Sequence, residues 1–242
     1  MLIISAAMQK SGSGYLYNLL NDLLVAAGND DARDIKKRCQ LEGIMQQHNN
    51  NIGPMHLKKL LRLWVVSLKE SKFAVKTHSR PTWGAKILNT AGLIKIIYCY
   101  RDPRDVLLSA MDHGKKSLDQ GIQDNFIHMT EFDTALRHVK GWVEIWKQYH
   151  AIPGVFMVKY EELMNNPLAT MQTISHFLSL SLDEPTIQSI LWKYSQKNPD
   201  GNRTGLHLNK AVIARYLNEM NDEQNKKVTD TLANALKEME YL

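Results

Sequence analysis

The sequence predicts an α/β protein of three layers, α/β/α, in which helices cover both faces of a mostly parallel sheet. Short apolar runs at Leu2–Met8, Phe73–Lys76, Ile94–Tyr100 and Val155–Val158 read as buried strands. Helical patterns separate these runs, and such alternation favours parallel strands joined by helical crossovers. The 242 residues are 44% hydrophobic and 23% charged. That composition supplies a sizeable core, is too well mixed for a disordered tail, and shows no internal break, so a single domain over 1–242 is expected.

The first run ends at Gln9-Lys10-Ser11-Gly12-Ser13-Gly14, after which Leu16, Leu19, Leu20, Leu23 and Leu24 recur at helical spacing. This is a strand, a tight loop and an amphipathic helix. The charged stretch Asn29–Lys37 and the polar stretch Gln46–Asn51 are expected to be surface connections, with Met55–Glu70 a helix. The run Phe73–Lys76 leads to Thr77-His78-Ser79-Arg80-Pro81, where proline disfavours helix and the polar residues suit the mouth of a site. Ile94–Tyr100 ends at Arg101-Asp102-Pro103-Arg104, whose proline suits the first turn of a helix. A helical region from about Asn125 to His150 carries Trp142 and Trp146 one turn apart, as core residues. Further helical patterns fall at Pro167–Phe177, Glu184–Ser195 and Asp222–Glu238. In such a sheet, ligands bind at the carboxyl ends of the strands.

A formal charge of +5 and an isoelectric point near 9.0 suit an anionic ligand, nucleic acid or an acidic membrane face equally. The lysines are spread along the chain without a nucleic-acid motif or basic-aromatic cluster, so no nucleic-acid partner is expected. The two cysteines, Cys39 and Cys99, belong to no closely spaced Cys/His set, which argues against a disulfide framework or a zinc site. Cys99 lies inside an apolar run and reads as a small core residue. No apolar stretch approaches the roughly twenty residues of a membrane span, so no integral membrane segment is expected. Met1-Leu2-Ile3-Ile4 leads straight into the glycine-rich loop without room for a signal peptide, and the expected location is cytoplasmic.

A strand feeding Lys10-Ser11-Gly12-Ser13-Gly14-Tyr15 and then a helix is a phosphate-binding arrangement, because glycines let backbone N–H groups close on an anion at the positive end of a helix. The lysine precedes the glycines, unlike the Walker spacing, and the dinucleotide pattern G-x-G-x-x-G is absent. Both departures point away from ATP and NAD.

The loop resembles the lysine-serine-glycine-threonine-threonine-tryptophan segment that holds the 5′-phosphosulfate in sulfotransferases. A second segment, Ile96-Ile97-Tyr98-Cys99-Tyr100-Arg101-Asp102-Pro103-Arg104-Asp105-Val106-Leu107-Leu108-Ser109, resembles the strand-loop-helix of that family. Its arginine and a serine eight residues on hold the donor's 3′-phosphate there, and Arg101 and Ser109 have that spacing. A guanidinium forks onto phosphate and a hydroxyl completes the cage; the competing reading of Arg101 is an ion pair with Asp102 or Asp105. Between these segments, Val75-Lys76-Thr77-His78 resembles the family's lysine-threonine-histidine stretch, where histidine takes the acceptor's proton.

The resemblance implies a P-loop NTPase-like fold and a donor, 3′-phosphoadenosine-5′-phosphosulfate (PAPS), with 3′-phosphoadenosine-5′-phosphate (PAP) as product. It implies Lys10, Lys76 and His78 as catalytic residues, with no metal. Lys10, Ser11, Gly12, Ser13, Gly14, Tyr15, Arg101 and Ser109 are implied as donor contacts. Tyr160, within a tyrosine-glutamate-acidic stretch, is implied to face the adenosine, and Lys210 is the survivor of an arginine-lysine-glycine loop over the 3′-phosphate. Asn209 and Ala211 replace that loop's arginine and glycine, which weakens the expected hold on the donor; Arg203 and Arg215 are candidates for the lost charge. Tyr15 stands where tryptophan is typical and still offers a flat face to adenine. Leu217, Asn221, Asp222 and Lys226 occupy the positions of the dimer motif of animal members, so that route to a dimer is not expected and the oligomeric state stays open. A small-molecule or glycan/lipid acceptor bearing a hydroxyl or amine is expected, and the sequence leaves open whether it is a carbohydrate, lipid, small alcohol, amine or protein tyrosine. The rival readings are a non-catalytic nucleotide-binding module of the same fold and a P-loop kinase.

Overall fold

The computed structural model describes residues 1–202, 204 and 212–242. Strands β1 (Leu2–Ala7), β2 (Phe73–Thr77), β3 (Ile94–Tyr100) and β4 (Phe156–Lys159) form one sheet in the order β2-β1-β3-β4, and every neighbouring pair is parallel. The helices of the described residues are α1 (Ser13–Ala26), α2 (Ala32–Arg38), α3 (Leu57–Lys69), α4 (Trp83–Thr90), α5 (Pro103–Asp119), α6 (Phe132–His150), α7 (Tyr160–Asn165), α8 (Pro167–Phe177), α9 (Glu184–Lys193), α10 (Tyr216–Glu219) and α11 (Asp222–Glu238).

Side chains alternate across a strand, and two cores follow. Leu2, Ile4 and Ala6 of β1 join Phe73, Val75, Ile96 and Tyr98 under α3, α4, α5, α6 and α11. Ile3 and Ala7 join Ala74, Ile97 and Cys99 under α1, α7, α8 and α9. β1 has a strand on each side and a helical layer on each face, so all six of its residues are buried. That is why its sequence is a continuous apolar run rather than an alternating one. The leucines expected on one face of α1, Leu16, Leu19, Leu20, Leu23 and Leu24, are all buried in the second core. At about 2 kcal/mol for each such side chain, they lock α1 to the sheet and with it the loop that precedes it.

The three-layer α/β/α expectation therefore holds, with local departures. Asn29–Lys37 is not simply a connection, because α2 occupies most of it. Asp31 caps that helix by accepting from the Arg33 N–H, Ala32 and Ile35 are buried, and Lys36, Lys37 and Arg38 lie at the carboxyl end that favours cations. The helical region expected from Asn125 begins only at Phe132. Ahead of it, the Asp124 carboxylate accepts from the Phe126 N–H at 2.8 Å and turns the chain. Trp142 and Trp146 are buried in the first core, and Cys99 is fully buried in the second. No helix of the described residues is long and apolar enough to cross a membrane.

Candidate donor and catalytic site

β1 delivers the chain to the loop at the carboxyl edge of the sheet. Lys10 (φ 64°) and Gly12 (φ 78°) both take the left-handed backbone there. A Cβ on Gly12 would lie 2.8 Å from the Tyr160 ring, so glycine answers both the backbone angle and the space. The Ser11 side chain points down into the protein. Its hydroxyl donates to the carbonyls of Met8 at 2.7 Å and Cys99 at 3.2 Å, while the Cys99 thiol donates to the Ser11 carbonyl at 3.0 Å. Ser11 thus ties the loop to the ends of β1 and β3 and leaves only its backbone for a ligand.

No side chain caps α1. Its first internal bond runs from the Leu16 N–H to the Gly12 carbonyl at 3.1 Å, so the N–H groups of Ser13, Gly14 and Tyr15 have no acceptor within the helix. Amide donors at the positive end of a helix are the fitting partners for a phosphate or sulfate group.

β2 lies beside β1, with Thr77 opposite Ala6, and this register places His78 against the loop. Thr77 donates to the Gly53 carbonyl at 2.8 Å and accepts from the Ser79 N–H at 3.0 Å, which fixes the turn around the histidine. His78 Nδ1 is 2.8 Å from the Ala7 carbonyl. A carbonyl only accepts, so in the neutral ring Nδ1 carries the hydrogen and Nε2 keeps its lone pair. The Ser13 hydroxyl lies 3.3 Å from that Nε2. Burial first, then the charge of Lys76, pushes the imidazole down to about 3, so it is neutral through the physiological range.

Lys76 is buried on β2 with no carboxylate at ion-pair distance among the described residues. Burial lowers its ammonium to about 8, assisted by the charge of Lys10. Lys10 is likewise brought to about 8 by burial, against the opposing pull of Asp124 and Asp112. Two clustered, partly desolvated ammonium groups suit a polyanion, whose arrival removes their repulsion.

Arg101 follows β3 and is buried. Its Nη2 donates to Asp105 at 2.9 Å and to the Val212 carbonyl at 2.6 Å, its guanidinium lies 4.5 Å from the centre of the Tyr160 ring, and its Nε is buried without a partner. The ion pair with Asp105 is therefore real, yet it uses one edge of the guanidinium only. A buried, unpartnered donor is the kind of group an anion satisfies. Ser109 is buried one turn beyond Asp105 on the same side of α5. Tyr160 bridges Gly12 and Arg101 by packing on both. Arg215, a candidate for the lost charge, has its guanidinium held by Asp112 at 2.8 Å and Glu219 at 2.6 Å. Lys210, Asn209, Ala211 and Arg203 lie outside the described residues.

Tyr15 lines a cavity of about 560 Å³ beside the start of α1, together with Met164, Leu191, Trp192, Tyr194 and Ser195. Tyr15 meets Tyr194 edge to face with ring centroids 6.4 Å apart. The role of Trp192 and Tyr194 in this cavity was not apparent from the sequence, because α9 approaches the loop only in the folded chain. His113 was also missed. It lies on the same side of α5 as Ser109, one turn further on, and its Nδ1 is 3.0 Å from Lys10 Nζ. The spacing Asp105, Ser109, His113 was the available signal.

This site sits on a chain whose residues 2–240 match the model of the sulfotransferase domain family. The chain belongs to that family. It is 31% identical over 126 residues to luciferin sulfotransferase of Photinus pyralis, covering 49% of this chain and 32% of that protein. With sulfotransferase 1A1 of Rattus norvegicus it shares 30% over 112 residues, 43% of this chain and 37% of the relative. The matched segments thus span about a third of those relatives' own length. Among solved structures, retinol dehydratase in complex with androsterone and inactive cofactor PAP superposes with a TM-score of 0.61 at 18% identity, over 98% of this chain and 80% of that one. A mouse sulfotransferase complexed with PAP gives 0.57 at 14%, over 98% and 84%. At these identities the structural likeness speaks to the fold.

Proposed function

We propose that this chain is a PAPS-dependent sulfotransferase that moves a sulfuryl group to a hydroxyl or amine by in-line displacement, with His78 as the base. The observation that carries this reading is the approach of His78 Nε2 to Ser13 at 3.3 Å, which sets an unprotonated imidazole nitrogen against the amide-rich start of α1. One edge of the site holds an anion and the other removes a proton.

In this reading the N–H groups of Ser13, Gly14 and Tyr15, with the backbone of Ser11 and Gly12, hold the 5′-phosphosulfate. Lys10 and Lys76 neutralise the charge that builds on the departing phosphate oxygen. His78 takes the acceptor's proton on Nε2 as the acceptor oxygen or nitrogen attacks sulfur and the S–O bond to the phosphate breaks. The Ala7 carbonyl favours the imidazolium so formed. Arg101 and Ser109 take the 3′-phosphate, with Lys210 as a further contact. The cavity beside Tyr15 accepts the adenine, whose flat face suits Tyr15 and Trp192.

The relatives' names span luciferin and hydroxysteroid substrates. That breadth supports a small-molecule acceptor here and chooses none. Calorimetric titration with PAP and with ATP, under the same conditions, tests the donor assignment. Binding of PAP without binding of ATP is expected. ATP binding with magnesium-dependent turnover, or absence of PAP binding, overturns it.

A further inference from the structure

Lys10 is also contacted by groups that belong to neither the sulfotransferase-like segments nor the cavity. His113 Nδ1 lies 3.0 Å from Lys10 Nζ, and His113 Nε2 lies 2.9 Å from Asp124 Oδ2. The same carboxylate oxygen accepts from the Ser117 hydroxyl at 2.8 Å, while Oδ1 accepts from the Phe126 N–H at 2.8 Å. The Phe126 ring packs against His113 with centroids 4.5 Å apart, and Lys10 Nζ stands 5.1 Å from its centre. Lys116 and Asp112, also on α5, are further charged groups near this cluster, and Arg101 and Lys76 act on Lys10 as like charges.

The hydrogen positions follow from the partners. A lysine ammonium only donates and an ionised carboxylate only accepts. His113 must therefore accept on Nδ1 and donate from Nε2, and Asp124 holds it in that tautomer. We propose that His113, fixed as the Nε2–H tautomer by Asp124, is a positioning residue for Lys10, aiming its ammonium at the sulfuryl end of the donor. This rests on the reading of Lys10 as a donor-binding lysine. His113 touches neither donor nor acceptor in this account; it acts through the lysine.

The arrangement makes Asp124→Asn a pointed test. The Phe126 N–H requires an oxygen at the Oδ1 position, which puts the new amide NH2 where Oδ2 was. The amide then donates to His113 Nε2, the imidazole shifts to the Nδ1–H tautomer, and a donor faces Lys10 instead of an acceptor. Shape is kept while the hydrogen bond is reversed. His113→Asn behaves differently, since its side-chain oxygen can stand in for Nδ1 and accept from Lys10 without help from Asp124. His113→Ala removes the acceptor altogether.

The experiment uses the full chain, PAPS as donor and 2-naphthol as probe acceptor, with PAP affinity measured by calorimetry. The ring nitrogens of His113 are assigned by ¹⁵N NMR in the wild type and in D124N. Expected are an unprotonated Nδ1 in the wild type, a protonated Nδ1 in D124N, and a kcat reduced on the order of tenfold in D124N and H113A with little change in KM for PAPS. H113N is expected to recover most of that loss. A wild type with Nδ1 protonated, a D124N protein that matches wild type in kcat, or an H113N protein as impaired as H113A overturns the inference. The NMR assignment in the wild type needs no variant to fold. A wild type that binds no PAP overturns the donor reading and this inference with it, whereas PAP binding and turnover that are indifferent to D124N overturn this inference alone.

Discussion

His78 Nε2 stands 3.3 Å from the hydroxyl of Ser13, the first residue of α1. The two are far apart in the chain and meet because β1 and β2 are parallel neighbours ending together, with Ala6 opposite Thr77. Strand register therefore sets the distance between the His78 imidazole and the start of α1. A one-residue slip would turn His78 away from the Ala7 carbonyl that orients it.

Replacing His78 by Ala or Gln is expected to lower kcat by about 10² to 10⁴-fold, the usual range for loss of a general base. PAP affinity should stay close to wild type, because the imidazole is neutral and contributes no charge to the donor. The stability of the protein carries a second signature. The folded-state value near 3 is below the ordinary 6.5, so between them the unfolded chain binds the proton that the folded chain refuses. The stability associated with His78 is present above 6.5 and is lost as pH falls towards 3. Urea unfolding at pH 4.5 and pH 7 should show a smaller difference in H78Q than in wild type. An unchanged difference contradicts the placement of this imidazole.

Lys10 and Lys76, both brought to about 8 by burial, are expected to make donor binding proton-linked. Near pH 8.5 each is partly deprotonated, and a bound polyanion favours the ammonium form. PAP binding should take up protons at that pH and should cease to do so below about pH 6.5, where both are already charged. Calorimetry in buffers of different ionisation heat reads this directly. The double variant K10M/K76M should bind PAP more weakly and without the uptake. Proton release on binding to wild type at pH 8.5 has the wrong sign for this site.

The parts of this site that could be read in the sequence are those built from consecutive residues. A lysine before glycines, an arginine after an apolar run and a histidine at the end of another are each local, and the topology brings all three to the same edge of the sheet. Three-layer architecture was legible because β1, β2 and β3 are short, mostly apolar segments flanked by helical patterns. What escaped notice depends on chain segments distant in sequence. Asp124 in a polar connection reaches back to His113 on α5, and Trp192 on α9 comes beside Tyr15 at the start of α1. α2 was missed because a seven-residue helix with only Ala32 and Ile35 buried carries almost no apolar period.

Arg101 and Asp105 separate binding from stability. Asp105 is fully buried and accepts from the Arg101 guanidinium at 2.9 Å and from the Tyr216 N–H at 3.2 Å. Arg101→Ala should weaken PAP binding and also destabilise the fold by about 3 kcal/mol, because a buried carboxylate loses its counter-charge. Adding Asp105→Ala removes the orphaned charge. The double variant should regain much of the stability in urea unfolding and none of the PAP affinity. If affinity returns together with stability, Arg101 is a structural ion-pair partner and not a phosphate contact.

Gly12 tests the loop itself. Alanine there meets two separate penalties: a left-handed backbone at φ 78°, which costs a residue with a Cβ about 1 kcal/mol or more, and a contact of 2.8 Å with the Tyr160 ring. G12A should therefore lower unfolding stability by about 1 to 3 kcal/mol and reduce PAP affinity, since the Tyr160 ring is the same one that packs against Arg101 at 4.5 Å. Tyr160→Ala in the G12A background relieves the contact and leaves the backbone angle as it was. Tyr160 is itself a buried core residue, so its removal costs stability of its own, and the coupling between the two substitutions is the quantity to read. Gly12→Ala should cost less stability in the Tyr160→Ala background than in wild type, while PAP affinity stays low because the wall between the loop and Arg101 is gone. No cost in that background would mean that the backbone at Gly12 tolerates a side chain, and an equal cost in both would mean that Tyr160 already gives way in the single variant. In the expected case, the loop owes its shape to both the backbone of Gly12 and the ring that covers it, and the anion site depends on the two together.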